Sequence, residues 1–480
     1  MNKTYFINQT TSLSLIIIVS LFFTLLGLFH SKKYPGLNNY LTANRNINIF
    51  SLTNSLVASA LGAWILFGPP SAATWGGIGA VIGYALGTAF PMIFLIFLGK
   101  KIRNQFPKGS TLIEFIRVKF GKSLFKLILI LTIFYMSIFL CAEITAVALL
   151  INFISGIKLW VTALVVLLSA LTYTLYGGLR ASIFTDNIQM IVIVILLTIS
   201  IFYLILFNDN QFSFSFIKEK NSFLLSRNYI PNYTAGLTFF IAVAATNLFH
   251  QGNWQRVYAA KDHQTLKKSL IFSFFIIVPI IFFMGFTGLV AVSLDPNISP
   301  DLAFFSLLLK DQTKLLSLIV MILGLTLTIS TVDTLINAIS SLIVVDGPVS
   351  LSLKNKINNL KLSRYLIIIL SIIIFFIASK GFSILYLFLL ADLFCCAFVL
   401  TVFYSFYSKA LNEKVAYISI GVGLITGLLL FPSPDFSKSL LVGILIPKEM
   451  FGPFVSQSLL FLSFIIATFS PILIFKIRKI

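Results

Sequence analysis

The residues of this chain best suited to chemistry are oxygen donors set inside apolar stretches. In GLTLTISTVDTLINAISSLIVVD, beginning at Gly324, the polar residues Thr326, Thr328, Ser330, Thr331, Asp333, Thr334, Asn337, Ser340 and Ser341 crowd a segment that is otherwise hydrocarbon. Hydroxyl and carbonyl oxygens are hard donors suited to a small hard cation, and the adjacent Ser330 and Thr331 offer two of them. Ser and Thr in apolar helices also act as hydrogen-bonding glue between helices, and residue types alone weigh the two readings equally. A second stretch, SLVASALGAWILFGPPSAAT from Ser55, places Gly62, Gly68, Pro69 and Pro70 inside a run otherwise long enough to cross a membrane. The pattern predicts local unwinding near residues 58–62, and unwound carbonyls within a bundle can ligate ions.

Charge inside an apolar medium is costly, so Glu143, Asp333 and Asp392 are functional candidates by default. For Glu143 the alternatives are a partner for a polar or cationic group and a protonated carboxyl bonded to a neighbouring helix. Asp333 either tunes the oxygen cluster or bridges helices. Asp186, Arg180, Arg256 and Asp346 stand near span ends and read as interfacial anchors or gate ion pairs. Trp64 and Trp254 either line a pathway or pack. Gly79, Gly83 and Gly87 recur every four residues, the spacing of close helix contact. His30, His250 and His263 show no metal-ligand spacing, so an enzyme reading finds no catalytic constellation. Cys141, Cys395 and Cys396 lie in apolar runs and read as packing residues, with neither a disulfide framework nor a zinc site.

The elements that must position these groups follow from composition. Of 480 residues, 58% are hydrophobic and 10% charged, with 50 Phe and a mean hydropathy of +1.00, beyond what a water-facing surface tolerates. A spanning helix needs about 20 apolar residues, and about thirteen such runs recur: 12–29, 50–72, 76–99, 123–153, 159–177, 184–207, 234–258, 269–293, 314–345, 362–379, 381–407, 415–431 and 453–475. The first is read as a span rather than a cleaved signal. Loop 100–122 holds Lys100, Lys101, Arg103, Lys108, Arg117, Lys119 and Lys122 against Glu114. Positive loops stay cytoplasmic, which places 259–268, 346–364 and 476–480 inside as well. The N-terminus, loop 208–233, and 294–313 with Asp295, Asp301 and Asp311 are then outside. The net charge of +20 reads as topogenic charge facing lipid headgroups rather than a nucleic-acid surface.

Three motifs occur in order: YTLYGGLRASIFTDNIQ from Tyr173, TNLFHQGNWQRVYAAKD from Thr246, and the STxDT stretch from Ser330. Together with the span count they resemble the sodium:solute symporter family over most of the chain. The resemblance implies an all-α polytopic membrane protein with a core of two inverted five-helix repeats, an amino-acid/sodium symporter-like fold. Residues 50–407 would form that core within one transporter domain, 1–49 an extra N-terminal span and 408–480 two extra C-terminal spans. It implies a sodium site between the second and ninth spans, formed by the carbonyls of Ala58, Leu61 and Leu327 and the hydroxyls of Ser330 and Thr331, with a substrate pathway past Trp64, Glu143, Asn247 and Trp254. Ala60 departs from the proline-transporting members, which carry an acidic residue there. QGNWQRVYAAKD and LFLLADLF (387–394) look closer to the branch containing urea active transporters. The function implied is sodium-coupled import of a small polar solute by alternating access, in a bacterial inner membrane, with no cofactor beyond the coupling ion and no obligate protein partner. A proton-coupled urea-like transporter and a transporter-like membrane sensor are the alternatives. A channel would need a selectivity filter, and none is recognisable.

Overall fold

The computed structural model describes residues 5–207, 211–310, 313–351, 359–407, 412–436, 438–439, 442–444 and 453–477. Asp311 and residues 478–480 lie outside the described residues. The architecture is all-helical, and its main helices are α1 Gln9–Lys33, α2 Ile49–Ala60, α3 Gly68–Gln105, α4 Leu112–Phe120, α5 Lys122–Ser155, α6 Leu159–Phe207, α7 Ile230–Phe249, α8 Gln251–Ala259, α9 His263–Leu294, α10 Lys314–Val345, α11 Asn359–Ala378, α12 Ile384–Tyr404, α13 Glu413–Leu430 and α14 Pro453–Ile477.

Among the described residues, ten helices are long and apolar enough to cross a membrane. They differ from the predicted runs where the chain bends or breaks, not where it is apolar. The runs 159–177 and 184–207 continue as the single helix α6, which bends at Gly178, and α3 bends likewise at Gly77. Both glycines hold positive φ, +59° and +62°, a region costly for any residue with a Cβ. The run 50–72 becomes the 12-residue α2 plus the first turns of α3. The run 234–258 is divided between α7 and α8 by His250.

Side-chain caps set several ends. Asn8 accepts from Thr11 N at 2.7 Å before α1, and Asp262 from Thr265 N at 2.7 Å before α9. Thr111 and Glu114 form a reciprocal capping box on α4, which satisfies two amides that a helix start leaves free.

Helix α10 is deeply enclosed, with every residue from Leu323 to Val344 buried. It packs against α5 and α6, while α12 packs against α5, α7 and α13. Helix α3 lies against α7 and α9. At the α3–α7 contact a Cβ on Gly79 would meet the Asn232 carbonyl and one on Gly83 the Gly236 carbonyl, and one on Gly87 would lie 2.7 Å from the Phe239 carbonyl. The four-residue glycine spacing therefore serves close helix contact, as its periodicity implies.

Candidate ion and substrate site

The chain leaves helical geometry after Ala60. Leu61 has φ −105° and ψ 83°, Ala63–Leu66 form one 3₁₀ turn, and α3 starts with Pro69 and Pro70 in its first turn. Proline needs no N–H partner there, so the prolines begin a new helix instead of extending the old one. A helix end leaves its last four carbonyls without intrahelical donors, here those from Ala58 to Leu61. On the far side of the break, Ala63 N donates to Glu143 Oε2 at 3.0 Å. A Cβ on Gly62 would collide with the Glu143 carboxyl. The carboxyl of α5 thus occupies the space that the missing side chain provides.

Helix α10 packs against the 3₁₀ turn of this break, and its Thr331 lines the same cavity as Ser59 and Ala60. Ser330 Oγ donates to Asp186 Oδ1 at 2.7 Å, and Thr331 Oγ1 to Leu327 O at 3.2 Å. Each hydroxyl has spent its proton on a protein oxygen and keeps lone pairs to offer a cation. Ala58, Leu61, Leu327 and Ser330 are fully buried and Thr331 nearly so.

A buried ion pair ties the helices around these groups. Arg256 Nη2 meets Asp186 Oδ2 at 2.8 Å with both side chains fully buried. The guanidinium also donates from Nε to Ser55 Oγ at 2.7 Å, from Nη1 to Gly252 O at 3.1 Å and from Nη2 to Thr334 Oγ1 at 2.9 Å. One side chain on α8 thus joins α2, α6 and α10. A buried pair is tolerated when its remaining hydrogen-bonding positions are filled. One helical turn away, Asp333 accepts from Tyr173 and from Ser182 at 2.9 Å and Thr185 at 3.2 Å, all on α6.

Beside the break lies a small, partly open cavity of about 30 Å³. Ser59, Ala60 and Trp64 line it from the break, Tyr84 from α3 and Phe139 from α5. Val243, Thr246, Asn247 and His250 come from α7 and its end, Thr331 from α10, and Phe388 and Asp392 from α12. Thr331 and the end of α2 therefore border both the cavity and the candidate ion ligands.

Of the predicted pathway residues, Trp64 and Asn247 stand in this wall. Glu143 does not: it braces the break from behind. Trp254 is fully buried, with Nε1 donating to Leu248 O at 2.8 Å. Asp186 and Arg256 form a salt bridge in the core rather than at an interface, and Asp333 bridges α10 to α6. Tyr84, Phe139, Thr246, His250 and Phe388 were not singled out for the cavity wall, and Asp392 was noticed only as an intramembrane acid. Among the described residues no cluster of His, Cys, Asp and Glu could hold a metal ion.

Comparison with known proteins gives a consistent set of likenesses. The pattern of the sodium:solute symporter family matches residues 40–423. The spermidine transporter DUR31 of Candida albicans is 27% identical over 380 residues, 78% of this chain and 71% of that protein. A sodium/glucose cotransporter of Vibrio parahaemolyticus is 27% identical over 58% of this chain and 54% of its own length. Urea active transporters of two yeasts are also among the relatives. In three dimensions, the substrate-bound outward-open structure of a sodium-coupled sialic acid symporter superposes with a TM-score of 0.70 at 17% identity, covering 96% of this chain and 98% of that one.

Proposed function

Given that the chain belongs to the sodium:solute symporter family and is a secondary transporter integral to the membrane, we propose that it couples sodium to the import of a small polar solute by alternating access. The observation that carries this reading is the contiguity of the broken α2 with Thr331. The same few residues end a helix with free carbonyls, present hydroxyl lone pairs and wall a cavity. Broken helices at mid-membrane, with free helix-end carbonyls turned to a cation, are the usual ion sites of such transporters. In this reading Ala58, Leu61, Leu327, Ser330 and Thr331 ligate sodium, and the adjoining cavity takes the solute.

Residues 50–407 carry the inverted repeats, and α1, α13 and α14 are additions. The Lys-rich loop 100–122 faces the cytoplasm, so a reporter fused after Lys108 reads as cytoplasmic and one near Asn221 as external. Finding both on the same side would overturn the orientation.

The relatives' names span spermidine, glucose and urea, so the solute has to come from the cavity itself. The coupling ion is tested in proteoliposomes loaded to give a sodium gradient or a proton gradient separately, with spermidine, urea, glucose and proline as labelled solutes. Uptake that follows the sodium gradient supports the reading. Uptake driven by protons alone, indifferent to sodium, would replace sodium with a proton as the coupling ion.

A further inference from the structure

The cavity carries a chemical bias of its own. Among the described residues, Asp392 is the only carboxylate in its wall, and no Lys or Arg is present there. Thr246 Oγ1 donates to Asp392 Oδ1 at 2.6 Å. The nearest guanidinium in the network, Arg256, is occupied by Asp186, Ser55, Thr334 and Gly252. An isolated carboxylate in a largely aromatic space is costly unless a countercharge or a proton arrives.

The neutral polar groups lean the same way. Ser59 donates to Leu56 O at 3.2 Å, Thr331 to Leu327 O at 3.2 Å, and Asn247 Nδ2 to Val243 O at 3.0 Å. The two hydroxyl protons go into the protein and leave oxygen lone pairs over, while Asn247 spends one of its two amide protons and keeps its carbonyl oxygen as an acceptor. His250 is buried and its Nδ1 has no partner, a further free ring position in the wall. A sugar or urea requires donors and acceptors alike, and a zwitterionic amino acid would set its own carboxylate against Asp392. A protonated amine brings donors for these acceptors and a positive charge for Asp392.

The apolar walls suit the same ligand. Trp64 stacks on Tyr84 with ring centroids 5.5 Å apart, and Phe388 lies 6.0 Å from Trp64 and 4.7 Å from Phe139. Aromatic faces attract cations, most strongly where water is excluded. A second cavity, lined by Ser71, Trp75, Asp301 and Gln457 among others, again pairs an acid with a tryptophan and, among the described residues, holds no Lys or Arg.

We propose that the transported solute is a small organic cation, a protonated amine whose charge is met by Asp392 and whose carbon skeleton lies against Trp64, Tyr84 and Phe388. This deepens the assignment of the cavity as the solute site and rests on it.

The test uses the full-length chain purified in detergent and reconstituted into liposomes, with ethanolamine, putrescine and choline as cationic probes and urea, glucose and proline as controls. The expected result is saturable uptake of at least one cationic probe, uncompeted by the controls. Asp392→Asn should weaken it roughly ten- to hundredfold, the range for losing a charge-assisted hydrogen bond. Asp392→Glu, which disturbs packing at the same position but keeps the charge, should retain most of it. Sodium-dependent thermal stabilisation of both variants reports that the ion site is intact. Four results overturn the proposal: uptake confined to the neutral controls, which leaves the symporter reading standing; no cationic probe taken up while sodium still stabilises the protein; equal loss in the Asn and Glu variants with the sodium effect preserved; or full uptake in Asp392→Asn. Cation uptake that ignores sodium would refute the coupling ion alone and leave the solute class in place.

Discussion

Two helices of this molecule are broken, and they are broken differently. After α2 the chain runs from Leu61 to Phe67 before regular helix resumes. After α7 only His250 intervenes, at φ −60° and ψ 110°. The orphan carbonyls of the second break are closed by its own neighbours: Asn253 Nδ2 donates to Asn247 O at 2.9 Å, Trp254 Nε1 to Leu248 O at 2.8 Å and the Asn253 backbone amide to His250 O at 2.9 Å. The first break receives one side-chain partner on its amide side, Glu143, and leaves its carbonyl side open. An interruption closed by side chains is a structural joint, whereas one left with free carbonyls keeps acceptors available for a cation.

The sharpest way to break this comparison is at Arg256. Arg256→Met leaves Asp186 buried without its partner, which typically costs about 3–5 kcal/mol. Thermal unfolding in detergent should show a large loss, and a stability equal to wild type would show that the second break is not held by this pair. Next in size are Ser330→Ala and Thr331→Ala on the open side. Each should raise the sodium concentration for half-maximal uptake about ten- to hundredfold, the loss of one ligating group. Because ion and solute binding are reciprocally coupled, solute affinity should fall at low sodium and recover at saturation. Sodium dependence unchanged in both variants would remove them from the ion site.

Glu143 gives a smaller and divided effect. Glu143→Gln keeps an acceptor for Ala63 N and should cost little, whereas Glu143→Ala leaves a buried amide unpaired, a penalty of about 1–3 kcal/mol. If the two substitutions destabilise equally, the carboxyl is not bracing the break. The smallest effect belongs to Trp254→Phe, which removes one hydrogen bond to Leu248 O and keeps most of the ring. About 1 kcal/mol of stability should go, with sodium dependence unaltered. A shift in sodium dependence here would make the closed break part of the ion site.

Much of the open break was legible in the sequence, because Gly and Pro within an apolar run have few other uses there. The polar cluster of α10 was legible for the same reason. What sequence could not reveal was pairing at a distance: Ser330 and Asp186 are joined across 144 positions, and no local pattern foretells it. The bends at Gly77 and Gly178 escaped because composition does not disclose the sign of φ. His250 carries no breaker residue of its own, so the exact point of the second break was hidden behind Gly252. Asp392 was visible as an acid, yet α12 is buried on nearly all sides, and a helix apolar all round has no polar stripe to show which face meets a cavity. That Glu143 would bond the amide side of the break was not legible, because the room left by Gly62 is a property of packing.

The glycine contact between α3 and α7 has a mechanical consequence. With Gly79 and Gly83 set against backbone carbonyls of Asn232 and Gly236, sliding or twisting of one helix on the other would drive main chain into main chain. The two behave as a welded plate carrying Tyr84, Val243, Thr246 and Asn247. Phe139 and Thr331 belong to α5 and α10, on the other side of the cavity. Under the proposed alternating access, the walls of the cavity would part along the seam between this plate and the α5–α10 pair rather than within the plate.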